Sequence, residues 1–273
     1  MEDAELLRYS RHILLPELGV DAQQRFASAH VLIVGVGGLG SPVALFLAAA
    51  GVGRLTLCDP DTVELTNLQR QLLFDTSQLG HSKVSAARAR LASVNPAVEI
   101  VTIEKRMDAT ALVPLVEQAD VVIDCSDNFD ARHAINLCCV QQRKPLVSGA
   151  AIRFDGQIAV FDARSPGNPC YNCLFGSSDD VDETRCATMG VFAPLVGIVG
   201  ATQAAEALKI LAGAGETLAG RLLILDALSM EWRQLRISKD PACPVCSPAT
   251  PVEDGAESPS LSASERTAAM ELR

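Results

Sequence analysis

Two Cys-x-x-Cys pairs are the most specific chemical feature of this 273-residue chain. Cys170 and Cys173 form the first pair, and Cys243 and Cys246 form the second. Four thiolates in two knuckles are typical of a closed tetrahedral zinc site, which leaves no position for a catalytic water. We therefore expect a structural zinc ion that joins a loop to the C-terminal segment, here called the zinc clasp. Paired redox dithiols are the alternative, but neither pair has the strand-to-helix placement of a thioredoxin-like site.

A glycine-rich loop follows the first apolar run of the chain. Its pattern, Gly35-x-Gly37-x-x-Gly40, is typical of a phosphate-binding turn between a strand and a helix. The first glycine allows the tight bend, the second lets the backbone approach phosphate, and the third permits close packing of the helix on the strand. Backbone N–H groups at the helix start then face the anion. A tight turn without a ligand is the alternative.

Asp59 lies 19 residues beyond Gly40, at the end of the second predicted strand. An acidic side chain at this place can accept the hydroxyl groups of a ribose. The alternative is an aspartate that only forms a turn before Pro60. A ribose contact fits a nicotinamide-dependent enzyme as well as a nucleotide transferase, so Asp59 does not separate these two classes.

Asp127 and Asn128 follow the fourth predicted strand. Ligands of open α/β sheets gather at the carboxyl ends of strands, near the point where the strand order reverses. A carboxylate there can hold Mg²⁺ against phosphate oxygens, because hard cations prefer oxygen ligands. Capping of the helix that starts at this point is an equally good explanation for both residues.

Lys83 and Arg70 are candidate cations for the same site. Ser82-Lys83 opens a predicted helix, where a cation opposes the helix macrodipole by roughly 0.3–1 kcal/mol. A placement that costs stability indicates that phosphate is the intended neighbour, although a solvated surface lysine is the commoner explanation. Arg70 is likewise either a phosphate ligand or an ordinary surface arginine.

The remaining cysteines fall into two groups. Cys58, Cys125, Cys138 and Cys139 lie in predicted strands or helices, and we expect them in the core. Cys186 lies in a polar loop after Arg185, before an apolar helix, and both neighbours would lower the pKa of its thiol. Cys186 is therefore either a nucleophile or an incidental loop cysteine.

Strand and helix patterns alternate through the first half of the chain, which predicts an α/β fold with a doubly wound, Rossmann-like, mainly parallel sheet. Strand patterns lie at 31–34, 55–58, 98–103, 121–125 and 146–148, and helix patterns lie at 41–50, 82–94 and 129–142. A strand order of 3-2-1-4-5 would bring the ends of strands 1, 2 and 4 to one crevice. An antiparallel extension follows, with a stretch at 151–162 that turns at Phe154-Asp155-Gly156, and further strands at 222–225 and 231–237.

Composition excludes several classes of protein. The formal charge of −10 and the isoelectric point near 4.9 argue against non-specific nucleic-acid binding. The first residues are charged and do not form a signal peptide, which predicts a cytoplasmic protein with reduced cysteines. The apolar stretch 191–212 contains Pro194, Gln203, Glu206 and Lys209, so we expect a buried helix and no membrane span.

Taken together, these motifs resemble the MoeB/ThiF/HesA family, bacterial relatives of the ubiquitin-activating enzymes. The resemblance covers about residues 4–246. The segments that carry it are Arg8-Tyr9-Ser10-Arg11, the glycine loop, Asp59-x-Asp61, Asn67-Leu68-Gln69-Arg70-Gln71, Lys83, Ser126-Asp127-Asn128 and both cysteine pairs.

The resemblance implies an enzyme that adenylates the C-terminal glycine carboxylate of a small ubiquitin-like sulfur carrier ending in Gly-Gly. The reaction would use ATP and Mg²⁺ and release pyrophosphate. Implied contacts to the nucleotide and its metal are Gly35, Gly37, Gly38, Gly40, Asp59, Asp61, Thr66, Asn67, Gln69, Arg70, Lys83, Asp127 and Asn128. Implied catalytic residues are Arg70, Lys83, Asp127 and Cys186, with Arg11 reaching the phosphates of the neighbouring subunit in a homodimer.

The expected organisation follows from these assignments. We expect an N-terminal helical arm at 1–28, a nucleotide-binding region at 29–150, a carrier-binding and zinc region of the same domain at 151–246, and a disordered tail at 247–273. No rhodanese-like segment follows the zinc clasp, so we expect a separate sulfur donor. In some relatives a cysteine matching Cys186 forms a thioester or persulfide with the carrier.

Charge explains why the chemistry needs these residues. A carboxylate is a poor nucleophile toward an anionic phosphate chain, so the site must neutralise charge and hold the reactants in line. Loss of Arg70 should then cost on the order of 3 kcal/mol in the transition state. We favour a MoaD-type carrier of molybdopterin synthesis. The alternatives are a ThiS-type carrier of thiazole synthesis, an NAD-dependent oxidoreductase, and a binding module without turnover.

Overall fold

The structure is a computed structural model of the chain, and it describes residues 1–176 and 189–247. The strands are β1 (His30–Val34), β2 (Arg54–Cys58), β3 (Glu99–Ile103), β4 (Val121–Asp124), β5 (Pro145–Ile152), β6 (Asp155–Asp162), β7 (Arg221–Asp226) and β8 (Glu231–Arg236). The helices are α1 (Asp3–Arg8), α2 (Ser10–Ile13), α3 (Gly19–Ser28), α4 (Gly40–Ala50), α5 (Lys83–Val94), α6 (Ala109–Gln118), α7 (Phe129–Gln141), α8 (Tyr171–Phe175) and α9 (Ala193–Ala212). Short 3-10 turns lie at Leu65–Asn67 and Thr76–Gln78.

The strands form a single eight-stranded sheet in the order β3-β2-β1-β4-β5-β6-β7-β8. Pairings from β3 through β5 are parallel, and those from β5 through β8 are antiparallel. The predicted doubly wound order and its antiparallel extension are therefore confirmed. Because β1 pairs with both β2 and β4, the carboxyl ends of these three strands meet at the point where the strand order reverses.

Both faces of the central sheet are covered. Every residue of β1 is buried, as expected for a parallel strand that lies between two helical layers. Val31 and Ile33 face a core shared with α4, α5 and α9. Leu32 and Val34 face the opposite core, which is shared with α6 and α7.

Helix α9 is long and apolar enough to cross a membrane by length and composition, but half of its apolar window is buried inside the protein. It packs against α4, β5 and β6. Its two buried polar side chains have partners: Gln203 Nε2 donates to the carbonyl of Asp124 at 2.8 Å, and Glu206 accepts the N–H of Leu218 at 2.7 Å. The helix therefore lies in the core, as predicted.

The structure differs from the sequence prediction in three details. Strand β5 is longer than 146–148, because it continues as the antiparallel partner of β6. The hairpin turns at Arg153-Phe154 and not at Phe154-Asp155-Gly156, since Asp155 already pairs with Ile152. Helix α6, which carries an internal proline, has no counterpart among the predicted elements. Cys186 and the predicted tail after Ser247 lie outside the described residues.

Candidate functional site

The glycine loop lies against the ends of β2 and β4, with no room for a side chain at its first and last glycines. Gly35 has a φ of 91° and donates its N–H to the carbonyl of Cys58 at 2.8 Å. A Cβ on Gly35 would lie 2.5 Å from the carbonyl oxygen of Cys125, and one on Gly40 would lie 2.0 Å from the oxygen of Gly35. Both positions require glycine, so the predicted tight strand-to-helix turn is present.

Some backbone N–H groups of this loop are bonded within the protein, and the others are available to an anion. The N–H of Val36 donates to Oδ2 of Asp59 at 2.7 Å, and the N–H of Ser41 donates to the carbonyl of Gly37 at 3.0 Å. Within the described part of the chain, the N–H groups of residues 37–40 have no acceptor. Because native proteins pair nearly all such groups, this row of donors at the start of α4 suits a phosphate.

Asp59 and Lys83 form a buried charged pair beside the loop. Their side chains are each only 7% exposed, and Lys83 Nζ lies 3.9 Å from Asp59 Oδ1. The same nitrogen lies 2.8 Å from Oδ2 of Asp61, whose side chain is 60% exposed. Burial raises the pKa of Asp59, against the opposing effects of the Lys83 charge and of the N–H bonds from Val36 and Asp61.

Local backbone structure explains why Lys83 lies here and not on the surface. Thr62 and Ser82 form an antiparallel bridge, and the N–H of Lys83 donates to the carbonyl of Asp61 at 3.0 Å. Ser82 caps α5 by accepting the N–H of Ser85 at 3.4 Å. The bridge turns the first residue of α5 toward the end of β2, so the surface-lysine alternative is wrong.

The segment after Asp61 folds over the loop. Asn67 is buried, and its N–H and carbonyl take part in the tight turn that leads to Gln71. Arg70 is half-buried and donates from Nη1 to the carbonyl of Thr66 at 2.9 Å. The carboxamide of Gln71 lies against Gly37, with Nε2 3.5 Å from the place that a Cβ there would take.

Asp127 and Asn128 lie at the end of β4. Asn128 caps α7 by accepting the N–H of Ala131 at 2.9 Å, so the capping explanation is confirmed for this residue. The side chain of Asn128 also donates to Oδ1 of Asp127 at 3.3 Å. Asp127 is exposed, so its carboxylate is open to solvent and to a ligand.

A buried polar network supports this turn from below. Asp124 accepts bonds from the N–H and the hydroxyl of Ser126 at 3.0 and 2.6 Å, and from the hydroxyl of Ser148 at 2.9 Å. Arg132 donates from Nη2 to the carbonyl of Ser126 at 2.8 Å. Neither Asp124 nor Arg132 was predicted from the sequence as a site residue. A carboxylate that ends an otherwise apolar strand run was the available signal.

The two cysteine pairs are distant in the sequence but adjacent in the structure. Their sulfur atoms all lie within 4.8 Å of one another. The separations are 4.0 Å for Cys170–Cys173, 3.7 Å for Cys170–Cys243 and 3.4 Å for Cys173–Cys246. The thiol of Cys170 stabilises the thiolate of Cys173, which lowers the pKa of Cys173 to about 5. The cluster can hold a metal ion, as the spacing predicts.

The other described cysteines are core residues, as predicted. Cys138 and Cys139 are buried on α7. Burial raises the pKa of Cys58 to about 12, and it also raises the pKa of Cys125, with the charge of Asp124 adding to the effect. These two thiols border the glycine loop but stay protonated, and a thiol in this form is a weak nucleophile.

Arg11 lies on the N-terminal arm of the chain. It is an exposed residue of α2, and it makes no hydrogen bond or ion pair with another described residue. Tyr9 anchors this part of the chain, because its hydroxyl accepts from Nδ2 of the fully buried Asn95 at 2.9 Å.

The predicted nucleotide residues are therefore gathered at the ends of β1, β2 and β4. Hydrogen bonds, ion pairs and close contacts link the glycine loop to Asp59, Asp61, Lys83, Gln71 and the end of β4. Thr66, Asn67, Gln69 and Arg70 lie on the segment that folds over the loop, where Thr66 and Gln69 are exposed.

Comparison with known proteins agrees with this arrangement. The chain is 43% identical over 249 residues to the molybdopterin-synthase adenylyltransferase of Escherichia coli K12, covering 90% of this chain and 98% of that protein. It is also 43% identical over 246 residues to the sulfur carrier protein ThiS adenylyltransferase of the same organism, covering 90% of this chain and 97% of that one.

A solved structure shares the fold. The crystal structure of E. coli MccB with ATP superposes with a TM-score of 0.78 at 25% identity, covering 88% of this chain and 73% of that one. The sequence profile described as the ThiF family matches residues 9–245. The chain belongs to the ThiF family.

Proposed function

We propose that this protein adenylates the C-terminal glycine carboxylate of a small ubiquitin-like sulfur carrier, using MgATP and releasing pyrophosphate. The observation that carries the proposal is the buried Lys83 beside a glycine loop in which the N–H groups of residues 37–40 have no acceptor among the described residues. Lys83 is paired with Asp59 and Asp61 in the unliganded protein, and its ammonium group lies where it could also meet a phosphate on the loop. The adenylyltransferase names of two relatives at 43% identity support the reaction class.

The nucleotide would lie along the carboxyl ends of β1, β2 and β4. Gly35, Gly37, Gly38 and Gly40 let the backbone approach the phosphates, and Asp59 and Asp61 face the ribose side. Thr66, Asn67, Gln69 and Arg70 cover the nucleotide from the adjoining segment. The similarity of this fold to that of an MccB structure solved with ATP supports this placement.

Charge neutralisation is the main catalytic requirement. Lys83 and Arg70 offset the negative charge of the phosphates, so that the carrier carboxylate can approach the α-phosphorus in line with the leaving pyrophosphate. Asp127, with Asn128 beside it, would hold Mg²⁺, which neutralises phosphate oxygens when it is bound. The exposed carboxylate of Asp127 fits that ion, since Mg²⁺ keeps several waters and few protein ligands.

The carrier would be of the MoaD type. Two E. coli relatives, one named for molybdopterin synthase and one for ThiS, share the same 43% identity with this chain, so identity does not choose between the carriers. We infer the MoaD type from the complete set of MoeB-like motifs. A ThiS-type carrier is the alternative. A nicotinamide-dependent oxidoreductase would use Gly35–Gly40 and Asp59, but it would leave Lys83, Arg70 and the zinc clasp without a role.

An exposed apolar surface offers a docking place for the carrier. Phe154 and Phe192 stack at 5.0 Å and are 38% and 41% exposed. The carbonyl of Phe154 accepts the N–H of Ala227 in the last hairpin, which also carries the exposed Met230 and Trp232. The start of α9 links this surface to the glycine loop, because Phe192 is the N-cap residue of α9 and Val196, one turn later, lies 3.2 Å from the place that a Cβ on Gly38 would take. A carrier held there could direct its C-terminal glycines into the crevice. We therefore propose that residues 151–246 form the carrier-binding and zinc region.

The site would be completed in a homodimer. Leu7 and Leu14 of the N-terminal arm are 78% and 73% exposed, and Phe46 of α4 is 54% exposed. A second copy that covers these residues would bury apolar surface and bring Arg11 to the phosphates of its neighbour. Tyr9, fixed by Asn95, holds the arm in place.

Zinc would occupy the four-thiol cluster. A tetrahedral site with zinc–sulfur bonds of about 2.3 Å requires sulfur separations of about 3.8 Å. The observed separations of 3.4–4.0 Å fit this geometry. The reducing cytoplasm, where we place the reaction, favours metal-bound thiolates over disulfides.

Sulfur would reach the adenylated carrier from a separate protein. The thiols of Cys58 and Cys125, which border the glycine loop, have raised pKa values and are poor nucleophiles. A covalent role for Cys186 is a further prediction of the family resemblance.

Mass spectrometry tests the proposed reaction. The protein is mixed with MgATP and a MoaD-type or ThiS-type carrier ending in Gly-Gly, and the expected product is carrier–AMP. A carrier without its last glycine serves as the control. Failure to adenylate either carrier, together with tight binding of NADH and none of ATP, would refute the proposal in favour of the oxidoreductase.

A further inference from the structure

Gln71 is buried against the glycine loop and has no assigned role. Its side chain is 4% exposed, and its Nε2 faces Gly37, 3.5 Å from the place that a Cβ there would take. Its Oε1 is fully buried, and within residues 1–176 and 189–247 it has no hydrogen-bond partner.

Ser41 of α4 also has a buried polar atom without a partner among the described residues. Its N–H donates to the carbonyl of Gly37 at 3.0 Å, yet its hydroxyl is buried without a partner in the described part of the chain. Buried polar groups are nearly always paired, because leaving one unpaired costs stability. Both residues adjoin Gly37, Gln71 through its Nε2 and Ser41 through its N–H, so polar side chains without partners lie next to the loop. A phosphate on Gly37 would accept from Nε2 of Gln71 and from the hydroxyl of Ser41, whereas Oε1 of Gln71 would stay unpaired.

We propose that Gln71 is a ligand of the nucleotide phosphates, donating from Nε2 to an oxygen of the phosphate seated on Gly37. The inference rests on the proposed function, because it requires a nucleotide on the loop. Phosphate oxygens only accept hydrogen bonds, so a carboxamide can bind them only through its NH₂ group. Nε2 is the end of Gln71 that faces the loop. As a neutral side chain, Gln71 adds a donor beside Arg70 without adding charge.

Two substitutions of Gln71 distinguish this role from a structural one. Gln71→Leu removes the donor, and Gln71→Glu replaces it with a carboxylate that repels phosphate. Isothermal titration of MgATP into the intact protein should give a Kd about 10- to 100-fold higher for Q71L, and higher still for Q71E. The thermal midpoint of unliganded Q71L should equal or exceed that of the wild type, because the change removes an unpaired acceptor and breaks no bond within the described residues.

Gln23 provides the matched control. It is also a buried glutamine with an unpaired Oε1, but its Nε2 donates to the carbonyl of Ala50 at 2.8 Å, at the far end of α4 from the loop. Gln23→Leu should lower the thermal midpoint and leave the Kd of MgATP unchanged. Equal binding of MgATP by Q71L and the wild type would overturn the role of Gln71 alone. Tighter binding by Q71E than by Q71L would also overturn it, by assigning the acceptor end. A wild-type protein that binds no MgATP would overturn this inference and the proposed function together.

Discussion

Lys83 Nζ lies 2.8 Å from Oδ2 of Asp61, an exposed carboxylate, at the entrance to the glycine loop. The same nitrogen lies 3.9 Å from Oδ1 of the buried Asp59. The lysine is thus held by acidic partners when no nucleotide is bound, and phosphates would compete with Asp61 for the same ammonium group. This arrangement keeps a cation buried and oriented without an anion in the site.

Substitution of Lys83 by methionine should destabilise the fold as well as stop adenylation. The change leaves the buried carboxylate of Asp59 without its cation, so we expect the free energy of unfolding to fall by about 3 kcal/mol. Urea denaturation measures this change. Asp61→Asn is the control, and it should cost less than about 1 kcal/mol because Asp61 is mostly exposed. Equal stability of K83M and the wild type would show that Asp59 does not depend on Lys83.

Arg70→Ala should slow formation of the acyl-adenylate. Loss of a cation that meets charge developing on the phosphates costs on the order of 3 kcal/mol, or roughly 100-fold in rate. A single-turnover assay of carrier–AMP formation measures the rate directly. Arg88→Ala, on the exposed face of α5, should retain the wild-type rate. A wild-type rate for R70A would remove Arg70 from the mechanism.

The four-thiol cluster should hold one zinc ion in each chain. Cys243→Ala removes one of the four ligands, so we expect zinc to be lost and the thermal midpoint to fall, because metal binding contributes to folding. Elemental mass spectrometry measures the metal. Cys138→Ala is the control, since Cys138 is an equally buried thiol that lies outside the cluster. Full zinc content in C243A would contradict the assignment of the cluster.

Phe154 and Phe192 should affect the carrier and not the nucleotide. Truncation of a central aromatic residue at an interface commonly costs more than about 1 kcal/mol, so each change to alanine should raise the KM for the carrier about tenfold. The KM for ATP should remain the same. Leu137→Ala, on the helix that packs against the opposite face of the sheet, is the control. Unchanged carrier kinetics in both phenylalanine variants would place the docking surface elsewhere.

Stability should fall with acid partly through His30. Burial lowers the pKa of His30 below its ordinary value of 6.5, so the folded protein disfavours the charged ring. The resulting stability is present above about pH 6.5 and is lost as the pH falls through this value toward the folded-state pKa. Thermal midpoints between about pH 7.5 and pH 5.5 should therefore decrease more steeply for the wild type than for His30→Gln. His81→Gln, at an exposed site, should keep the wild-type slope.

The sequence was sufficient for features that depend on local order. Strand and helix patterns predicted the parallel sheet, because buried strands and amphipathic helices are recognisable within a few residues of each other. The glycine pattern predicted its own turn, since Gly35 and Gly40 stand where no side chain fits. The cysteine spacing predicted the four-thiol cluster, although the pairs are distant in the chain, because each knuckle is a local motif.

Contacts between distant segments were decided only by the tertiary structure. Lys83 could have been a solvated lysine, and its burial depends on the bridge between Thr62 and Ser82. The sequence showed Gln71 only as part of a motif, and its contact with Gly37 is visible only in the folded chain. Exposure and pairing of a side chain depend on which other segment covers it, and the spacing of residues along one segment does not contain that information.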